Sequence, residues 1–210
     1  MRIETFVFFD LEATGLPDEE RNQTKITELT CLAVSRKDII AAKVGEIPPM
    51  RKLTFLVNPQ RKLRPNAMLM TGLTEEILST HPVFKDKIDC INEFLDLPKP
   101  VCLVAHCGCK FDFPLLKTEY KEAGVSLPDD LYYIDSMGGF KYALKQISLF
   151  ANGLSLKNLY KVLVKKEMKG IHRAEADCLM LLECVIATKT HFIKFSDVMC
   201  KNFKNMKVFR

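Results

Sequence analysis

Phe6-Val7-Phe8-Phe9 is an apolar run with no polar residue alternating through it, the pattern of a strand buried on both faces. Residues 29–34, 53–57, 101–105 and 131–134 are further strand-like stretches. Between the second and third of these five, Ile47-Pro48-Pro49 breaks the chain and marks a loop. Helical signals lie among and after the strands. Thr74 followed by Glu75 and Glu76 is a helix start, with a hydroxyl cap and two acids at the positive end of the helix dipole. Phe84, Ile88, Ile91 and Leu95 recur at helical spacing, with Asp86, Lys87 and Glu93 elsewhere on the wheel. Pro114 suits the first turn of another helix and Gly124 its end. Ser155 can cap a helix that carries Leu156, Leu159, Tyr160 and Leu163. A loop containing Lys and Gly then ends near His172, and a last long helix is predicted over about 174–189. Strands come first and then alternate with helices. The expected fold is therefore α/β, a mixed sheet flanked by helices.

A chain of 210 residues suits one domain over 1–210. At 48% hydrophobic and 27% charged residues, it has the composition of a soluble globular protein. No window approaches the roughly 18 uncharged apolar residues of a membrane helix. The first residues show neither the apolar stretch nor the cleavage site of a signal peptide. Of the 8 cysteines, Cys31, Cys102, Cys178 and Cys184 lie in apolar runs, where they act as small hydrophobes. A reducing intracellular compartment, nuclear or cytoplasmic, is expected. Cys107 and Cys109 beside His106 lack the spacing of a zinc knuckle, and no second pair matches them. The net charge of +5 says little alone. Its distribution says more: Lys157, Lys161, Lys165, Lys166 and Lys169 fall in one stretch, and Lys201, Lys204, Lys207 and Arg210 in another. Both stretches read equally as solvated surface.

The candidate chemistry lies at the ends of predicted elements. Asp10 and Glu12 follow the first strand, and positions two apart on a strand share a face. A solvated strand end would look the same, and about one acid–x–acid triplet is expected by chance in a chain this long. Asp112 follows a strand and a glycine turn and precedes a helix, where an acid also favours the helix dipole. Asp177 enters a strongly apolar helix, where a buried carboxylate needs a metal or a basic partner unless it stays exposed in the first turn. His172, on the preceding loop, titrates near neutrality and can accept a proton from water, although most single histidines are surface residues. Together, four carboxylates and one histidine are what two-metal phosphodiester cleavage requires, with Mg²⁺ preferring carboxylate and water oxygens.

Phe9-Asp10-Leu11-Glu12-Ala13-Thr14-Gly15-Leu16-Pro17 resembles the first motif of the DEDDh (DnaQ-like) exonuclease superfamily, most closely its three-prime repair branch. The segment from His106 to Leu116 resembles the second motif, and His172-Arg173-Ala174-Glu175-Ala176-Asp177 the third. The resemblance covers nearly the whole chain, in the right order. It implies a ribonuclease-H-like fold with a five-stranded central sheet. It implies that Asp10, Glu12, Asp112 and Asp177 hold two Mg²⁺ ions, with Mn²⁺ as a substitute, and that His172 is the general base. It also implies that Thr14, Gly15 and Leu16, beside Glu12 and Ala13, hold the terminal nucleotide. Met70 and Phe111 fall where the family packs side chains on terminal bases; core packing is the competing role for both. Lys165, Lys166 and Lys169 are candidates to guide the phosphate backbone. The expected activity is 3′→5′ removal of nucleotides from DNA ends, with RNA trimming as the alternative.

The family's partners and departures set the remaining expectations. A homodimer built on edge strands is implied, and the strand of Leu29, Leu32 and Val34 is the candidate edge. Cys107 stands where the family usually has asparagine. Pro48-Pro49 is far shorter than the proline-rich loop of the mammalian cytosolic member, so partner binding through that loop is not expected. No membrane-anchoring tail follows Arg210, as in the short nuclear paralogue.

Overall fold

The computed structural model describes residues 1–167 and 173–209. Strand β1 (Thr5–Ala13) extends the first apolar run through Asp10-Leu11-Glu12. Strand β2 (Ile26–Ser35) leads into helix α1 (Arg36–Ala41), where the Ser35 side chain accepts the Asp38 N–H as a cap. Strand β3 (Arg51–Leu56) precedes helix α2 (Pro65–Thr71), which begins with proline. In helix α3 (Glu75–Ser79) the Thr74 side chain accepts from Ile77 N–H, as the sequence predicts. A 3₁₀ turn at Phe84–Lys87 runs into helix α4 (Ile88–Phe94). Strand β4 (Val101–Ala105), helix α5 (Asp112–Glu122), strand β5 (Leu131–Asp135) and helix α6 (Ser136–Gln146) follow. Helices α7 (Leu156–Leu163), α8 (Ala174–Ala187) and α9 (Lys189–Met199) and the two-residue strand β6 (Lys201–Asn202) complete the series.

The sheet order is β3-β2-β1-β4-β5-β6. Strands β1, β2 and β3 pair antiparallel, β1, β4 and β5 pair parallel, and β6 adds an antiparallel edge. The expected mixed sheet is present, with one very short strand beyond the five expected.

Strand parity divides the core. Val7, Phe9 and Leu11 face Phe113, Tyr120 and Ile88 on one side of the sheet. Phe6 and Phe8 face Phe140, Leu159, Leu181 and Phe192 on the other. Asp10 and Glu12 share the parity of Phe6 and Phe8, so β1 presents both acids to the side covered by α8.

The expected edge is corrected. β2 carries Leu29, Leu32 and Val34 but lies between β1 and β3, and almost all of it is buried. Its near-continuous apolar run is the mark of a central strand. The edge on that side is β3, whose residues are exposed or half-buried. The last predicted helix also differs, because Thr188 leaves helical geometry and separates α8 from α9. Helix α6 escapes the sequence reading because Gly138 and Gly139 are poor helix formers. Gly139 serves a close contact: a Cβ there would sit 2.6 Å from the Phe192 ring of α9. Among the described residues, no helix is long and apolar enough to cross a membrane.

Candidate active site

One oxygen from each of Asp10, Glu12 and Asp177 lies within 4.8 Å of the others. β1 supplies the first two, and the first turn of α8 supplies the third. Asp112 joins them by another route. β1 pairs with β4 only as far as Phe8, whereas its pairing with β2 runs on to Ala13. Past Phe8 the β4 side of β1 is open, and the Asp112 carboxylate accepts the Leu11 N–H there at 3.2 Å. The turn that delivers Asp112 is fixed by Asp135 at the end of β5, which accepts the N–H groups of Cys107 (3.2 Å) and Cys109 (3.1 Å). All four sequence-predicted carboxylates therefore meet at one end of the sheet.

Their environment is hostile to unneutralised charge. Burial and the neighbouring Asp177 and Glu28 push the Glu12 carboxyl up to about 8. Burial pushes Asp112 up to about 7, against the pull of its backbone hydrogen bonds. Asp10 is raised well above the usual carboxylate range, first by burial and then by Asp112 and Asp177. Acids raised by desolvation and by one another want a cation among them. An all-carboxylate donor set of this kind fits hard divalent ions such as Mg²⁺ or Mn²⁺.

The neighbouring His106 has no free ring nitrogen. Nε2 lies 2.8 Å from the Leu154 carbonyl, which can only accept, and Nδ1 lies 2.8 Å from the Ser136 hydroxyl. The ring therefore donates from Nε2 and accepts at Nδ1, and burial lowers its pKa.

Beside the carboxylates lies a cavity of about 300 Å³, lined by Glu12, Ala13, Gly15, Leu16, Met70 and Phe111, with Arg64, Asn66 and Ala67. Leu16 is 57% and Met70 51% exposed, so neither is a core residue. Phe111 is half-buried and packs partly on the core. Thr14 does not line the cavity. It is fully buried, and its hydroxyl donates to Glu20 at 2.6 Å and accepts the Lys25 N–H at 3.1 Å. Its part is to hold the loop, because both its polar functions are used internally.

Two acids escaped the sequence reading. Glu20, only 4% exposed, collects Thr14, Arg61 (3.3 Å) and Arg64 (3.7 Å) and so fixes one wall of the cavity. Gly15 is required against that wall, since a Cβ would meet the Arg64 side chain at 2.6 Å. Glu28 lies opposite Glu12 on β2 and pairs with Arg173. Neither pairing has a local signature, because the partners are far apart in sequence.

His172 and Lys169 lie outside the described residues. Lys165 is exposed. Lys166 donates to Glu183 at 2.9 Å, and Tyr160 donates to the other oxygen of the same carboxylate. Lys166 thus ties its segment to α8, a role the charge pattern did not reveal.

A family model of exonucleases, of the RNase T type, matches residues 7–185. Bovine three-prime repair exonuclease 1 is 34% identical, the alignment covering 98% of this chain and 70% of the relative. Human three prime repair exonuclease 2 is 30% identical, covering 98% of this chain and 92% of that one. Among solved structures, an E. coli exonuclease I–single-stranded DNA complex superposes with a TM-score of 0.73 at 17% identity. That match covers 91% of this chain but only 42% of the exonuclease I chain. Cell-death related nuclease 4 superposes with a TM-score of 0.71 at 14% identity, covering 95% and 66%. The family model spans all four clustered carboxylates, and the alignments to the curated relatives cover nearly all of this chain. The chain belongs to the RNase T-type exonuclease family, alongside the three-prime repair exonucleases.

Proposed function

We propose that this protein is a divalent-metal-dependent 3′→5′ exodeoxyribonuclease, with residues 1–210 working as one exonuclease domain. The carrying observation is the convergence of Asp10, Glu12 and Asp177, with Asp112 beside them, next to an apolar slot to which Glu12 also belongs. Asp10, Glu12, Asp112 and Asp177 would hold two Mg²⁺ ions, which when bound activate the attacking water and stabilise the leaving oxygen. Leu16 and Met70 clamp the terminal nucleoside through their exposed apolar surface, and Phe111 offers a ring face to its base. Gly15 lets the backbone approach closely. Lys165 attracts the phosphate backbone as it enters. His172 accepts the proton of the attacking water. The products are 5′-mononucleotides.

DNA is favoured over RNA by the slot's lining. A 2′-hydroxyl entering among Leu16, Ala67 and Met70 loses water contacts. Thr71 is no ready replacement, because its hydroxyl already donates to the Ala67 carbonyl at 2.8 Å and accepts the Leu73 N–H at 3.1 Å. An unpaired buried hydroxyl costs roughly 1–3 kcal/mol, about one to two powers of ten in rate. Matched oligonucleotides ending in a deoxyribose or a single ribose should show that ratio in favour of deoxyribose. Equal or faster removal of the ribonucleotide would move the protein to the RNA-trimming reading.

The homodimer joins two copies through β3, the sheet edge with open backbone groups. Light scattering should give twice the 24.0 kDa of one chain. A single-chain mass at micromolar concentration would count against pairing. The cysteines are free thiols, as a nuclear or cytoplasmic site of action allows.

A further inference from the structure

Glu28 is only 1% exposed and lies directly across the β1–β2 ladder from Glu12. Directly opposed residues of an antiparallel pair share a face, and like charges there are destabilising. Arg173 compensates them as a fork. Its Nε donates to the two Glu28 oxygens at 2.9 and 3.2 Å, and its Nη2 donates to Oε1 at 2.8 Å. The Ala174 N–H adds a bond to Oε2 at 3.3 Å, so the same carboxylate caps the start of α8. The Arg173 carbonyl then accepts the Asp177 N–H at 3.1 Å. One continuous chain of bonds thus runs from β2, through Glu28 and Arg173, to the turn that bears Asp177.

We propose that Glu28 and Arg173 are a positioning pair, which registers the start of α8, and with it the Asp177 carboxylate, against Asp10 and Glu12 on β1. The proposal rests on the reading of these carboxylates as a metal centre. Apolar packing holds α8 on the sheet, with Cys178, Leu181 and Leu182 in the core, but such packing is non-directional. Lys52 of β3 also pairs with Glu175 in the first turn of α8 at 2.8 Å, but both side chains are substantially exposed and such a pair orients weakly. A two-nitrogen fork on a buried carboxylate is directional. Precision matters here because a metal site needs its ligands within about 0.5 Å of their places. Lysine cannot replace the fork, since it offers a point charge without the planar geometry.

The test compares Mn²⁺ affinity, by electron paramagnetic resonance titration, with melting temperature and steady-state kinetics on a labelled DNA oligonucleotide. Arg173→Met should weaken Mn²⁺ binding by about 10–100-fold, the usual effect of losing a residue that orients a metal ligand. The kcat should fall while KM for the oligonucleotide stays near wild type. Arg173→Lys should stay impaired despite its charge. Arg173→Met leaves Glu28 buried and unpaired, so lost stability alone could mimic the effect. Glu28→Gln combined with Arg173→Met removes that charge. The double variant should recover melting temperature but not Mn²⁺ affinity. Recovery of both would make the pair mere charge compensation and overturn the proposal. Asp10→Asn is the reference: if it loses Mn²⁺ binding while Arg173→Met binds as wild type, the positioning proposal alone fails. If Asp10→Asn binds Mn²⁺ normally, the metal-centre reading fails first.

Discussion

Asp10→Asn is expected to lose nearly all nucleolytic activity and yet to make the metal-free protein more stable at alkaline pH. The two effects share a cause. Asp10, Glu12, Asp112 and Asp177 crowd negative charge into a desolvated place because the reaction needs cations there. Removing one ligand should cost a factor on the order of 10²–10³ or more, comparable to losing one preorganised charge-stabilising group. Alanine at any of the four should do the same. Without metal the crowding only destabilises. The folded carboxyls of Glu12 and Asp112 are raised to about 8 and about 7. Between their ordinary values and these, the folded state keeps protons that the unfolded chain has released. Their stabilising contribution is therefore complete at low pH and is lost as pH rises through about 7–8. In EDTA the melting temperature should fall from about pH 4 to about pH 8 and level off above that, and Mg²⁺ or Mn²⁺ should restore it. Asp10→Asn should flatten the fall. A gain of about 1 kcal/mol would appear as roughly 2–4 °C in a chain of this size. Full activity in excess EDTA, or a wild-type melting curve for Asp10→Asn across that range, would refute the account. The result would be a site that trades stability for function.

Legibility in the sequence followed the range of the interactions. Strand β1 was visible because four consecutive apolar residues leave few alternatives, and its period of two put Asp10 and Glu12 on one face. The α3 and α7 starts were visible because Thr74 and Ser155 cap within three residues of themselves. Asp112 and Asp177 were legible as odd residues, an acid after a turn and an acid entering an apolar helix. Their convergence was not, because it depends on where β1 stops pairing with β4 and on how α8 lies over the sheet. Glu28, Arg173, Glu20 and Arg64 were lost for the same reason. Glu28 reads as one polar position in a strand, and its partner lies 145 residues away. Lys166 shows the converse error: a charge run looked like a phosphate track, yet one member is committed to Glu183. The edge assignment failed because the pairing of β3 outside β2 is set by a contact between strands, which no local pattern announces, although the apolar run of β2 already had the character of a central strand.

His172→Ala should lower kcat by on the order of 10²–10⁴, the usual worth of general acid–base catalysis. The expectation rests on chemistry and on the residue's place in the chain, immediately before Arg173 and five residues before Asp177. Water attacking a phosphodiester must lose a proton. The four carboxylates are poor acceptors once committed to cations, and His106 is neutral with both ring nitrogens engaged. The proposed mechanism gives this proton to His172, which stands next to Arg173 in the chain, and Arg173 and the Ala174 N–H are both held on Glu28 at the start of α8. The pH profile separates this role from a structural one. A protonated imidazole cannot accept the proton, so wild-type kcat at saturating metal should fall on acidification. In His172→Ala the residual rate should lose that limb and rise only with hydroxide. The carboxylates also bind protons in acid, but saturating Mg²⁺ competes for them and shifts their effect to lower pH. A limb that survives in His172→Ala and moves with Mg²⁺ concentration would belong to the carboxylates. A wild-type rate in the variant would remove His172 from the mechanism.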